Sequence, residues 1–243
     1  MVRGSRKSRD AGGASRTRKR AEQTRSRATR LSILQAALSE FADKGFEAAS
    51  IRSIAERTGL QHPLITYHYP TKDALWRATA EHAFAQIRQT WDKSGPALSD
   101  AAPIDQLRAE YRAVFYYTVA FPEFHRFMRQ EAMYDNPRLR WVAETVLAPL
   151  IDRLLPQIRA AQRGGDLPAI EPIVFHYMMI SLTATLAGFG PEMRITGRVR
   201  PQARTIVDSY WRLVESTVFG ARANVRRAKE GRIRSRSNKD SRL

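Results

Sequence analysis

The stretch Ser50–Leu75, SIRSIAERTGLQHPLITYHYPTKDAL, constrains the fold more than any other part of the chain. Ser50 is a good N-cap residue, and Ile51, Ile54 and Ala55 follow it three and four residues apart, the spacing of one helical face. Gly59 stops that helix, because glycine accepts the left-handed conformation a tight turn needs. A second helix starts near Gln61 to Pro63, since proline is tolerated in a first helical turn. Leu64 and Ile65 are expected to face inward, and His62, Thr66, Tyr67 and His68 outward. Pro70 ends this helix and Thr71 caps the next. Two short helices around a glycine turn, the second with polar and aromatic side chains on its free face, describe a helix-turn-helix. Its second helix has the size to enter the major groove of DNA.

Upstream, a helix is predicted from near Thr24 to Lys44, with Leu34, Ala37, Leu38 and Phe41 at helical spacing and Gly45 as its stop. With the two helices of the motif it makes a three-helix domain centred on Phe41, Ile54, Leu60 and Ile65. Ile33-Leu34, Ala37, Phe41, Gly45-Phe46, Ser50-Ile51, Ile54-Ala55, Gly59-Leu60, Ile65, His68, Pro70, Lys72 and Leu75 stand in an order and spacing that resemble the N-terminal pattern of the TetR family of bacterial transcriptional regulators. Three positions depart from it: Thr66 replaces the usual tyrosine, Tyr69 the usual phenylalanine, and Gln61 a common serine or threonine cap.

The resemblance implies double-stranded DNA as partner, read as a pseudo-palindromic operator by a homodimer. It carries DNA contact onto Arg52, His62, Pro63, Leu64, Thr66, Tyr67, His68 and Lys72. His62 and Pro63 stand at the leading end of the recognition helix, while Tyr67, His68 and Lys72 suit phosphates, which fix register without reading sequence. His68 also admits a plain packing role, and Lys72 that of an ordinary solvent lysine. The family dimerises through its last two long helices, which here places the interface on Ser181, Ala184, Gly188, Ile206, Tyr210, Leu213, Val214 and Thr217.

The net charge of +17 resides in the ends. Residues 1–30 hold 11 Lys/Arg against 2 Asp/Glu, and residues 221–243 hold 9 against 2, so the middle is nearly neutral. Residues 1–22 and 221–243 have few large apolar side chains and are expected to be disordered basic tails. Either they touch phosphate backbone or a minor groove, or they are solvated and add only sequence-independent affinity. Between them the pattern is all-α. A helix-turn-helix DNA-binding domain spans 23–70, and a larger helical effector and dimerisation domain spans 71–220, entered through a connecting helix at 71–92. A break is expected from Ser94-Gly95-Pro96 to Pro103, and further helices near 104–120, 122–133, 137–162, 169–189 and 203–219. Pro172 to Gly190 carries no charge over a length approaching a membrane span. Its histidine, hydroxyls and proline fit a buried core or interface helix better, so no membrane is expected.

Cysteine is absent, which excludes disulfides, thiolate zinc sites and cysteine nucleophiles. No Gly-rich phosphate loop, nucleophile elbow or metal-binding helix motif occurs. His125 and Glu123, like His176 and Glu171, are spaced off a common helical face. No catalytic residue, cofactor or metal is expected. The family's larger domain commonly binds an effector. Tyr111, Phe115, Phe127, Met128, Trp141 and Tyr177, with Glu131 and His176 as polar tips, could line such a pocket for a largely apolar molecule, or could be plain core. The reading is a cytoplasmic, ligand-responsive, DNA-binding repressor. A sequence-tolerant nucleic-acid binder driven by its basic tails is the competing class.

Overall fold

A computed structural model describes residues 8–94 and 100–220, with backbone alone over 8–17 and 90–94. Every regular element among the described residues is helical: α1 (Ser8–Ala48), α2 (Ile51–Thr58), α3 (His62–His68), α4 (Lys72–Ser94), α5 (Pro103–Ala120), α6 (Pro122–Glu131), α7 (Pro137–Val142), α8 (Ala148–Arg163), α9 (Pro172–Gly188), α10 (Gly190–Thr196) and α11 (Arg204–Val214). A π-helical stretch, Ala143–Leu147, joins α7 to α8, and another, Glu215–Phe219, continues α11. The chain divides into two compact units, Met1–His82 and Ala83–Leu243.

In the first unit the local signals act as expected. Ser50 Oγ accepts the Ser53 N–H at 3.0 Å and caps α2. Gly59 closes α2 at φ 67°, in the left-handed region. Gly45, at φ 72°, interrupts α1 at its predicted stop. Thr71 Oγ1 accepts the Ala74 N–H at 3.0 Å and caps α4. The core is Ile33, Ala37 and Phe41 of α1, Ile54 of α2, Ile65 of α3, and Leu75 and Trp76 of α4, all buried. Two expectations are corrected. Leu60 is only half-buried, and Leu64, expected inward, is exposed. In so short a helix Ile65 alone fills the inward position.

The N-terminal tail is also corrected in part. Residues 8–22 are helical and continue α1; their arginines, lysine, alanines and glutamate are good helix formers extending a turn the domain has already nucleated. Residues 1–7, the break at 95–99 and the tail 221–243 lie outside the described residues.

In the second unit α5 is the central helix. Leu107, Tyr111 and Phe115 of α5 are buried with Leu154 and Ile158 of α8 and with Phe175 and Met179 of α9. The Thr118 hydroxyl donates to the Thr183 carbonyl at 2.7 Å, tying α5 to α9. Phe115 stacks on Tyr210 and Trp211, at ring-centre distances of 5.6 and 5.4 Å, and so holds α11. The uncharged α9 is one-sided: Phe175, Met179, Thr183 and Leu186 are buried, while Val174, Tyr177 and Met178 are exposed. No single helix among the described residues is long and apolar enough to cross a membrane. The pair α9 and α10 reaches that length only with a bend of 54° between them.

Candidate nucleic-acid interface

The sequence places one apolar residue, Ile65, on the inner side of α3, and its burial turns the rest of the helix outward. His62 and Pro63 are exposed at its start, Leu64 is exposed beside them, and Tyr67 is 80% exposed. Thr66 is half-buried and its hydroxyl donates back to the Pro63 carbonyl at 3.1 Å. In α2, Arg52 pairs with Glu56 at 3.3 Å; both side chains are largely exposed, so water screens the pair and the guanidinium is held weakly.

His68 and Lys72 are built in more deeply than solvent side chains. His68 Nδ1 accepts from Arg30 Nε at 3.4 Å, which joins α3 to α1. Burial and the charge of Arg30 both lower its pKa, so the ring is neutral near pH 7. A neutral ring accepting at Nδ1 carries its proton on Nε2, a donor suited to a phosphate oxygen. Lys72 Nζ donates to the carbonyls of Glu47 and Ala49 at 3.1 and 3.2 Å and lies 4.6 Å from the centre of the Phe46 ring. The break at Gly45 leaves those carbonyls without helical partners, and Lys72 supplies them. Lys72 is therefore not the ordinary solvent lysine of the alternative reading: two of its three N–H groups clamp the end of α1 to the start of α4.

Beneath this surface Glu40 is fully buried. It pairs with Lys44 at 2.8 Å and with Arg57 at 3.0 Å, so α1 and α2 are joined by charge as well as by apolar packing. Residues 18–28 of α1 are almost all exposed and include Arg18, Lys19, Arg20, Arg25 and Arg27.

Residues 33–79, which run from the middle of α1 into α4, match the family described as "Bacterial regulatory proteins, tetR family". This segment belongs to the TetR family. Relatives of the chain carry the same kind of name. It is 28% identical over 172 residues to the HTH-type transcriptional regulator RutR of Escherichia coli, covering 70% of this chain and 79% of RutR. It is 27% identical over 155 residues to the HTH-type transcriptional repressor NicS of Pseudomonas putida, covering 63% and 72%. The fold matches that of AibR, solved in complex with isovaleryl coenzyme A and operator DNA, with a TM-score of 0.58 at 17% identity over 78% of this chain and 97% of AibR. The chain is a DNA-binding transcriptional regulator.

In the larger unit of this regulator, Tyr111, Phe115, Phe127, Glu131 and His176 are buried, and Met128 and Trp141 are half-buried. Tyr177 is exposed on the outer side of α9 and does not join them. The Tyr111 hydroxyl and His176 Nδ1 are 3.1 Å apart. Burial depresses the His176 pKa to about 4 and, with the charge of Glu110, raises that of Tyr111. The Glu131 carboxylate is engaged by Arg138 at 3.0 Å, so it is not a free polar tip. None of the eight residues lines the open hollow found between α5 and α11, whose charged lining the sequence reading missed. The signal for it was present: Arg204, Asp208 and Arg212 recur every four residues along α11.

The interface expectation is corrected at two positions. Ala184 and Val214 are buried inside the single chain. Ser181, Gly188, Leu213 and Thr217 are exposed, and Ile206 and Tyr210 are half-buried. Gly188 has an internal reason to be small, because a Cβ there would lie 3.1 Å from His125 Nε2. Among the described residues, no group of three or more His, Asp or Glu could hold a metal ion.

Proposed function

We propose that this TetR-family regulator is a cytoplasmic homodimeric repressor that reads a pseudo-palindromic operator through α3 and leaves it when a small molecule binds the larger unit. The observation that supports this reading best is the exposure of His62, Pro63 and Tyr67 on a helix whose opposite side is anchored by Ile65. His62 and Pro63 would meet base edges. Tyr67, His68 Nε2, Arg52 and the remaining N–H of Lys72 would meet phosphates. A second copy would use the exposed apolar side of α9, with Val174, Tyr177, Met178 and Phe189, together with Leu213 of α11. Two recognition helices must then match successive major grooves, about 34–36 Å apart. A ligand that favours another spacing lowers DNA affinity by linkage. The name of NicS as a repressor and the AibR complex with both operator and isovaleryl coenzyme A support the same cycle.

Selection of bound sites from random DNA tests the reading, followed by titrations of single-base variants at several salt concentrations. His62→Ala should change base preference at one position of each half-site, at about 1–3 kcal/mol. The exposed arginines of residues 18–28 favour an added sequence-independent term, visible as a steep salt slope. A steep slope with no preferred site would establish the sequence-tolerant class instead.

A further inference from the structure

Between α5 and α11 lies a hollow of 660 Å³. Small-molecule sites commonly measure about 300–1,000 Å³. One wall is aromatic. Trp211 lines it at 3% exposure, fixed by its stack on Phe115, and Tyr116 stands edge-on to the same ring at 5.2 Å. The Trp211 indole N–H is buried with no hydrogen-bond partner in the structure, a donor left without its acceptor.

The rim is charged, and its charges are unequally matched. Asp208 is faced by Arg204 at 3.6 Å and by the Tyr116 hydroxyl at 3.5 Å. Glu215 is faced by Arg108 at 3.6 Å. Arg112 and Arg212 have no carboxylate partner among the described residues. The Arg112 guanidinium lies over the Tyr116 ring at 5.6 Å, and Arg212 Nε donates only to the Asp208 main-chain carbonyl at 3.3 Å. Two guanidinium groups beside an aromatic wall select a planar anion, since the guanidinium fork matches a carboxylate and its face matches a ring.

The hollow is separate from the proposed homodimer face. At about 100° per residue, Arg204 and Asp208 lie nearly half a turn around α11 from Ile206 and Leu213, and Arg212 about a third of a turn. A second copy seated on the latter would leave the former open.

We propose that this hollow binds a small aromatic carboxylate, its ring against Tyr116 and Trp211 and its carboxylate between Arg112 and Arg212. Both α5 and α11 contribute, so the ligand bears on how these two helices sit together. Its effect on DNA rests on the regulator reading above, whereas its binding does not.

The test is calorimetric titration of the full chain with indole-3-carboxylate, its neutral amide and inorganic phosphate. Indole-3-carboxylate should bind saturably, and the amide about tenfold or more weaker. Arg112→Gln and Arg212→Gln should each weaken the acid by about tenfold or more while keeping the wild-type thermal melt, because both side chains are exposed. Tyr111→Phe, in the core, should leave the affinity unchanged. Absence of saturable binding at millimolar acid, equal affinity in the arginine variants, or phosphate binding as tightly as the acid would each overturn the proposal. Operator affinity is measured separately with and without the acid. Acid binding that leaves it unchanged keeps the site and removes its effector role. A protein with no preferred DNA sequence removes the regulator reading, and the isotherms still decide the site.

Discussion

His176 is a neutral imidazole inside α9, and its neutrality ties stability to pH. Its folded pKa of about 4 lies below the ordinary histidine value of 6.5, because burial penalises the charged ring. The unfolded chain therefore takes up a proton near pH 6.5 that the folded chain refuses until about pH 4. Stability is fully present above that window and is lost as pH falls through it. From pH 7 to pH 5 the loss should be about 2 kcal/mol, read as a shift in the urea midpoint. His176→Gln should flatten that dependence, and an unchanged pH profile in the variant would refute the assignment. Glu40 behaves as a charged residue in the same pH range. Burial alone would raise its carboxyl, but Lys44, the Ser50 backbone and Arg57 together hold it below its ordinary value. Its contribution is present above the ordinary carboxylate range and vanishes as pH falls below it. Glu40→Ala should cost about 1–2 kcal/mol in chemical denaturation. That is less than a fully buried pair would cost, because the Lys44 and Arg57 side chains are 43% and 40% exposed and can turn to water.

Elements here are ended by local devices and joined by long side chains. α2 needs Ser50 to start and Gly59 to stop, both within its own sequence. Gly45 interrupts α1, and the carbonyls of Glu47 and Ala49 beyond that break are satisfied from α4 by Lys72. Lys72→Ala therefore has two expected effects. DNA affinity should drop at all sites with a smaller salt slope, and the first unit should lose about 1–2 kcal/mol from two charge-assisted hydrogen bonds. Lys72→Arg restores the charge without the same point-like ammonium, so it should recover more of the salt slope than of the stability. A Lys72→Ala protein that melts like wild type would mean the clamp contributes nothing. In the larger unit, α11 is held by the stack of Phe115 on Tyr210 and Trp211 and by the Tyr210 hydroxyl, which donates to the Leu182 carbonyl at 2.7 Å.

At the scale of the whole molecule, α9 leaves an apolar side without cover. Val174, Tyr177, Met178 and Phe189 are each 40–52% exposed, on a helix that bears no charged residue. A single surface of that kind marks a protein–protein contact more often than bare surface. Met178→Glu should convert the proposed homodimer to monomer at micromolar concentration, measured by light scattering, with helix content unchanged because the side chain already faces out. A dimer of unaltered stability would place the contact elsewhere. Ala184→Glu, on the neighbouring inner side of the same helix, should instead unfold the larger unit, since it drives a charge into the core.

The stops and caps of the helix-turn-helix were legible in the sequence because they act within a few residues: Ser50 on Ser53, Gly59 on its own backbone, Thr71 on Ala74. Of the apolar residues that lock it Phe41, Ile54 and Ile65 were legible too, whereas Leu60 and Leu64 were not, because their burial depends on how the helices pack. The all-helical pattern of the larger unit was legible locally as well, through periodicity. Which side of a helix stays uncovered was not. α9 is apolar on nearly every side, so its composition does not distinguish the buried Ala184 from the exposed Met178; only packing against α5, α6 and α8 does. Lys72 reads as a surface cation until residues 23 and 25 positions earlier bring their carbonyls to it. The α5–α11 hollow likewise joins Arg112 to Arg212 across a hundred residues of chain. Local propensity fixes where helices begin and end. The partner of a long charged side chain depends on distances that only the packed chain defines.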